Sequence, residues 1–189
     1  MIIGAKSLAC LIGSAGAIFL TATTAQAESF AGPYIGLEGG YAITDVEGVT
    51  IAGPFERTEH SAILTGVAGY RLPVGSGLPL VLGAEASVGS YTKRADLRYS
   101  VAGTAGLRVL ESGLLYGKAG YAWLDNVDSN AGRGIDGLLV GGGYEHALTD
   151  NFSLRAEYRY IDWKGGRRFP DNTVKFQGQE IAASVLYSF

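Results

Sequence analysis

The chain has 189 residues, with 15 basic and 18 acidic side chains and a formal net charge of −3. This weak acidic excess argues against nucleic-acid binding, which depends on clustered basic residues. The only cysteine, Cys10, lies near the start, so the rest of the chain has no thiol for a disulfide framework or a cysteine-ligated metal.

The first 27 residues have the features of a signal peptide. Lys6 is the only charged residue before Glu28, an apolar run follows it, and Ala25-Gln26-Ala27 resembles a small-residue cleavage site. This order is typical of secretory leaders, and the apolar run is shorter than the ~20 residues of a membrane-spanning helix. We therefore expect export by the Sec pathway and cleavage after Ala27, with Ala25 and Ala27 as the recognition residues.

Removal of residues 1–27 would leave residues 28–189 as a single domain. The 189-residue chain loses 27 residues and one charge, Lys6, so 162 residues remain with 14 basic and 18 acidic side chains. No stretch of this domain approaches the roughly 18 continuous apolar residues that indicate a helical membrane span.

Eight segments of the domain alternate between apolar and polar side chains, as strands with two different faces do. Each is near the ~9–11 residues that a tilted strand needs to cross a bilayer. In chain order they are Gly32–Ile43, Glu59–Leu72, Leu80–Tyr91, Leu97–Val109, Leu114–Leu124, Ile135–Leu148, Asn151–Trp163 and Val174–Phe189.

Most segments define which face is apolar, but the second and sixth do so weakly. The second allows two phases, and we favour the one that turns Leu64 and Tyr70 outward, because Tyr70 would then lie at a membrane interface. In the sixth, we expect Leu138 and Val140 to face outward and Glu145 to face inward.

The connections between segments alternate between long and short, as expected for outer loops and periplasmic turns. Residues Thr44–Thr58 are expected to form a long polar first loop, and the later outer connections are expected at 92–96, 125–134 and 164–173. Tight turns are expected at 73–77, 110–113 and 149–151. An even strand number places both ends of the domain on the periplasmic side.

The last segment ends at an aromatic residue, Phe189, and Ile181, Val185 and Tyr187 share its face. A soluble sheet with such an apolar edge strand would invite pairing with other chains, whereas a closed barrel in lipid has no edge. The sequence therefore predicts an all-β fold, an eight-stranded antiparallel up-and-down transmembrane β-barrel, preceded by a cleaved signal peptide.

Four motifs resemble the small outer-membrane β-barrel proteins related to the OmpA transmembrane domain, often described as opacity or porin-family proteins. The motifs are Phe30-Ala31-Gly32-Pro33-Tyr34-Ile35-Gly36, Gly141-Gly142-Gly143-Tyr144-Glu145, Arg155-Ala156-Glu157-Tyr158-Arg159-Tyr160 and Tyr187-Ser188-Phe189. The resemblance implies a Gram-negative outer membrane and insertion by the barrel-assembly machinery through a C-terminal signal that includes Tyr187 and Phe189. It also implies surface-antigen, adhesion or haem-binding roles, although no residue points to one of them.

Charged residues on the inward faces form the main candidate constellation. A barrel of eight strands is just filled by its side chains, and buried charges require partners, so we expect a lumen filled by paired charges rather than an ion path. The expected network residues are Glu38, Glu85, Arg98, Arg108, Lys118, Glu145, Arg155, Glu157, Arg159 and Glu180.

Basic residues in the outer connections form a second candidate set, namely Lys93, Arg94, Lys164, Arg167 and Arg168. Arginine and lysine bind phosphate well, so these residues could contact lipopolysaccharide or another surface. Simple solubility explains them equally well.

The sequence predicts no catalytic, cofactor or metal site. A covalent catalyst needs a nucleophile, a base and an orienting group, and the only histidines, His60 and His146, fit no such pattern. We therefore expect a structural or surface protein of the envelope, in contact with outer-membrane lipid and lipopolysaccharide. The alternatives are a narrow porin-like channel and a lipid A-modifying enzyme.

Overall fold

The computed structural model describes residues 30–50, 53–75, 79–92, 96–126, 135–164 and 174–189. Its strands are β1 (Gly32–Thr50), β2 (Gly53–Val74), β3 (Leu80–Tyr91), β4 (Asp96–Val109), β5 (Gly113–Asn126), β6 (Ile135–Ala147), β7 (Phe152–Lys164) and β8 (Val174–Ser188). Each strand pairs antiparallel with the next, and β1 pairs with β8, so the sheet closes into a barrel. The predicted eight-stranded fold is confirmed. Within the described residues, no helix has the length and apolar character that crossing a membrane requires.

The strands alternate between an interior and an exterior face, as predicted. In β1, Tyr34 and Glu38 are buried while Leu37 is 69% exposed. Leu64 in β2 and Ile181 in β8 are likewise more than half exposed. Such a continuous apolar exterior would be unfavourable in water, and it matches the lipid-facing wall of a membrane barrel.

The weakly defined phases of the second and sixth segments are as we favoured. In β2, Ile63 is buried, and Tyr70 is exposed. In β6, Leu138 and Val140 are exposed, and Glu145 is completely buried.

The predicted first loop is wrong, because most of Thr44–Thr58 is strand. The ladder between β1 and β2 continues from the pair Thr44–Glu59 to the pair Thr50–Gly53. The two strands thus have 19 and 22 residues, more than the ~9–11 that cross a bilayer. Beyond the membrane neither face meets lipid, so the apolar alternation disappears from the sequence while the backbone pairing continues.

We name the two ends of the barrel after the connections between strands that each end carries. The turn end carries the connections 75–79, 110–112 and 148–151, together with Phe30 and Phe189. The loop end carries the other connections. At the turn end, the amide of Phe189 donates to the carbonyl of Pro33 (3.1 Å), so the last residue is tied to the start of β1.

Candidate functional site

Ten charged side chains of the described residues are buried inside the barrel, five acidic and five basic. They are Glu38, Glu85, Glu145, Glu157, Glu180, Arg71, Arg98, Lys118, Arg155 and Arg159. We call this set the lumen network. Its formal charge is zero, which suits a low-dielectric interior where unpaired charges are costly.

Toward the turn end, the lumen network is organised around Glu145. Arg71 donates from both terminal nitrogens to the two carboxylate oxygens, at 3.0 and 2.7 Å. Arg155 Nε and Ser153 Oγ donate to the same carboxylate at 3.0 and 2.6 Å. The Arg71 guanidinium also lies 4.0 Å from the ring centroid of Tyr34. Glu145 thus accepts bonds from three side chains, and planar stacking fixes the bidentate arginine.

In the middle of the lumen, Lys118 joins two acids. Its Nζ lies 2.6 Å from Glu85 Oε1 and 2.8 Å from Glu157 Oε1. Glu85 also accepts bonds from Arg155 Nη1 at 2.5 Å and from the Tyr34 hydroxyl at 2.7 Å. Each of these acids therefore meets more than one donor, which offsets the cost of burying it.

Toward the loop end, Glu180 receives two arginines. Arg98 Nη1 lies 2.7 Å from Glu180 Oε2, and the Tyr91 hydroxyl donates to Oε1 at 2.7 Å. Arg159 Nη2 is bonded to Glu38. Its Nε lies 3.0 Å from Glu180 Oε2 without the geometry of a hydrogen bond. Arg159 therefore links two acids that lie on the adjacent strands β1 and β8.

Two apolar clusters share the interior with the lumen network. The cluster toward the turn end consists of Phe30, Val81, Leu114, Tyr116 and Ala147. The cluster toward the loop end consists of Ala102, Ala122, Leu139, Ile161 and Trp163. The interior is thus filled by packed apolar side chains together with the paired charges.

The lumen network differs from the sequence prediction at two positions. Nine of the ten residues we expected belong to it, but Arg108 is only half-buried. Arg108 is the penultimate residue of β4, at the turn end, where its amide donates to the Pro79 carbonyl (2.7 Å). Arg71, which we had not predicted, is buried instead. Arg71 shares the interior face of β2 with Ile63 and Val67. Following that face to the end of the strand would therefore have predicted Arg71.

Of the predicted basic loop residues, Lys164 lies within the described part of the chain. It is the last residue of β7, is exposed, and holds its Nζ 5.5 Å from the ring centroid of Tyr121. Lys93, Arg94, Arg167 and Arg168 lie outside the described residues, as do Ala25 and Ala27 of the predicted leader.

The predicted C-terminal signal lies at the turn end. The ring of Tyr187 makes edge-to-face contacts with Phe189 (5.1 Å between centroids) and with Phe152 of β7 (5.2 Å). Phe189 itself is largely exposed.

The two histidines lie at opposite ends of the exterior. His60 stacks on Tyr41 at the loop end, with ring centroids 5.7 Å apart. His146 lies at the turn end, where its Nδ1 is 3.5 Å from Ser112 Oγ and 3.2 Å from the Tyr144 hydroxyl. The sequence did not indicate the Ser112–His146 contact, because Ser112 lies in the turn before β5 and His146 lies near the end of β6. Among the described residues, no carboxylate is hydrogen-bonded to His146, so this pair is not a nucleophile, base and orienter arrangement.

Aromatic residues form two bands on the exterior wall. The band at the turn end includes Tyr70, Tyr144, Phe152 and Phe189, and the band at the loop end includes Tyr41, Tyr99, Tyr121, Trp123 and Tyr158. An apolar wall between aromatic girdles, around a polar interior, defines a transmembrane β-barrel of the outer-membrane type.

The chain belongs to the outer membrane protein beta-barrel domain family, whose model matches residues 12–189. The predicted family relationship is therefore confirmed, and with it an outer-membrane location in Gram-negative bacteria. A comparison with curated protein sequences finds no match.

Several solved structures are similar to this chain. Neisserial surface protein A is 22% identical, with a TM-score of 0.56, over 84% of this chain and 98% of that one. The N-terminal barrel of Pseudomonas aeruginosa OprF is 14% identical, with a TM-score of 0.49, over 82% and 98%. Ail of Yersinia pestis, the attachment invasion locus protein, is 17% identical, with a TM-score of 0.43, over 82% and 99%.

Proposed function

We propose that this protein is a structural and surface component of the outer membrane, which supports envelope integrity and presents its loop end to the outside. The observation that carries the proposal is the filled lumen. Ten paired charges and two apolar clusters occupy the interior, so the interior holds the wall of the barrel together. Side chains that are accessible to other molecules lie on the exterior wall and at the loop end.

The filled lumen also disfavours the narrow channel. Eight strands leave an interior that side chains just fill. A permeating ion would have to separate contacts such as Lys118–Glu85 and Arg98–Glu180, which are 2.6 and 2.7 Å long. It would also have to pass the packed apolar clusters of the interior. The arrangement therefore favours a lumen that stays closed over a lumen with an open path for ions.

Deletion of the protein is expected to make cells more sensitive to detergents and to large antibiotics, because the envelope loses a rigid component. Growth in graded detergent measures the effect, and the wild-type chain supplied in trans should restore resistance.

A channel would give a different result in planar bilayers. Defined conductance steps that change in Lys118→Met, but not in the exterior variant Lys164→Gln, would establish the channel and contradict a purely structural role.

We further propose that basic residues at the loop end contact lipopolysaccharide. Lys164 is exposed there, beside the aromatic band that marks the membrane interface, and Arg167 and Arg168 follow it by three and four residues. Phosphate groups of lipopolysaccharide are the natural anions at this level of the membrane, and arginine binds phosphate with two parallel hydrogen bonds.

The double variant Arg167→Gln, Arg168→Gln is expected to bind lipopolysaccharide about tenfold more weakly, a loss of about 1.4 kcal/mol. Titration of purified barrels with lipopolysaccharide at low and high salt measures the loss, which should shrink as salt screens the charges. Arg57→Gln is the control, because Arg57 is exposed on the β1–β2 hairpin and paired with Glu59. Equal affinities of the double variant and the wild type would refute the contact.

A further inference from the structure

A groove of about 520 Å³ crosses the exterior wall from β6 to β2. We propose that it binds one acyl chain of a phospholipid of the periplasmic leaflet, with the headgroup at His146. This proposal is independent of the envelope role above. It concerns a lipid site on the exterior of the barrel wall, outside the lumen.

The strand register makes the groove. Its floor is one row of small side chains, in which Ala156 pairs with Ala183 and Ala183 pairs with Gly39. The adjacent row toward the turn end is large and apolar, and it consists of Leu154, Val185 and Leu37. The row on the other side consists of Tyr158, Ile181 and Tyr41. Small residues between two rows of large ones leave a depression in the wall.

Gly39 leaves room in the depression that a side chain could fill. A Cβ at inward positions such as Gly36 or Gly120 would collide with the backbone of a neighbouring strand. A Cβ at Gly39 would meet nothing within 4 Å, and the backbone of Gly39 is not among the residues with positive φ. Neither packing nor conformation therefore requires glycine here. On a lipid-facing wall a larger apolar side chain would be favourable, yet it would fill the groove.

The groove has the length and slope of one leaflet. The row that contains the floor runs from Tyr144 on β6, near the turn end, to Leu64 on β2, well toward the loop end, with the small residues between these two. Four strand spacings of about 4.8 Å give a length of roughly 19 Å. Because strands in such barrels tilt by about 35–45°, the row rises by roughly 12 Å, which is half of an apolar band about 25 Å tall. An acyl chain anchored at the turn-end interface would therefore reach the middle of the bilayer.

The end of the groove at the membrane interface is polar. His146 and Tyr144 line it, their rings lie 6.2 Å apart, and Ser112 joins them from the adjacent turn. Among the described residues, the hydrogen bonds of His146 are made through Nδ1, which leaves Nε2 for a bond to a headgroup. Imidazole and hydroxyl groups suit a phosphate or an ethanolamine.

The position of this polar end selects the lipid. Short turns and both ends of the barrel domain lie on the periplasmic side in this class of protein, so His146 meets the leaflet made of phospholipid. Lipid A, in the outer leaflet, would meet the loop end. A larger groove on the opposite wall, about 800 Å³ and floored by Ala84, Ala86 and Gly103, is lined by no histidine.

The test uses the processed, detergent-extracted barrel and native mass spectrometry. Titration with palmitoyl-oleoyl phosphatidylethanolamine should give one tightly retained lipid on the wild type. Gly39→Leu, which fills the groove, should weaken retention about tenfold or more. His146→Leu should weaken it about threefold or more. Gly103→Leu, which fills the opposite groove, is the matched control and should retain the lipid like the wild type.

Three outcomes would overturn the proposal. Equal retention by Gly39→Leu and the wild type would show that the groove is not the site. Equal loss in Gly103→Leu would show general annular binding. Preferential, Gly39-dependent retention of lipid A would assign the groove to the wrong leaflet. Heat-modifiable migration of each variant on a denaturing gel confirms that a variant without lipid is still a folded barrel.

Discussion

Replacing Glu145 with alanine is expected to lower the free energy of unfolding by about 3–5 kcal/mol, the range found when one partner of a buried ion pair is removed. Glu145 is completely buried and accepts bonds from Arg71, Ser153 and Arg155. Its removal leaves the Arg71 guanidinium, which is 4% exposed, stacked on Tyr34 without a carboxylate. Denaturant titration of the barrel in lipid vesicles, followed by heat-modifiable migration, measures the change.

The double variant Glu145→Leu, Arg71→Met separates the effect of a stranded charge from that of lost volume. Arg155 retains contacts with Glu85 and Glu157, so the double variant removes one acid and one base together and keeps the lumen network neutral. It is expected to recover a large part of the lost stability, because apolar replacement of a buried pair is often neutral. Arg57→Ala, at an exposed pair with Glu59, should cost less than about 1 kcal/mol. A Glu145→Ala barrel as stable as the wild type would contradict a lumen held together by its charges.

The fold was predictable from the sequence because lipid imposes a period of two on every strand. In β7, apolar Leu154 and Tyr158 alternate with Arg155 and Glu157, and the same alternation fixed the interior faces of most other strands. Nine members of the lumen network followed from this period alone. Arg71 was missed although the favoured phase of β2 was correct, because its inward face was not followed to the end of the strand.

Two features could not be read from the periodicity. The β1–β2 hairpin extends into water, where neither face is selected for apolar residues, so its strands looked like a loop. The exterior groove depends on register, since Gly39, Ala156 and Ala183 lie on three strands and meet only when the barrel closes. Closure and register are properties of the whole sheet, and a reading of one segment at a time does not contain them.

The interior and the exterior of this barrel therefore serve different purposes. Inside, neutral pairing of ten charges fixes the relation between non-adjacent strands, as Arg71 of β2 does with Glu145 of β6. These contacts do not involve the exterior side chains, so the interior pairs and the exterior groove can be altered separately by substitution.

Replacing Phe189 with alanine is expected to reduce the amount of folded barrel in the outer membrane of cells by at least about tenfold, while changing stability in vitro by less than about 1 kcal/mol. In the folded barrel Phe189 is 69% exposed, and its ring contacts Tyr187 alone among the described aromatic rings. Its backbone bond to Pro33 would survive the substitution. The side chain thus adds little to the finished structure, and we expect its role to be recognition by the assembly machinery.

Phe152→Ala is the matched control for this prediction. Phe152 lies at the same end of the barrel, is 47% exposed and contacts the same Tyr187 ring, but it starts β7 and does not belong to the predicted signal. Quantitative blotting of heat-modifiable protein from outer-membrane fractions should show near-normal insertion of Phe152→Ala and loss of Phe189→Ala. Refolding of both purified variants into detergent micelles should match the wild type. If Phe189→Ala also failed to refold in vitro, the residue would be structural; if it reached the membrane normally, the last strand would carry no signal there.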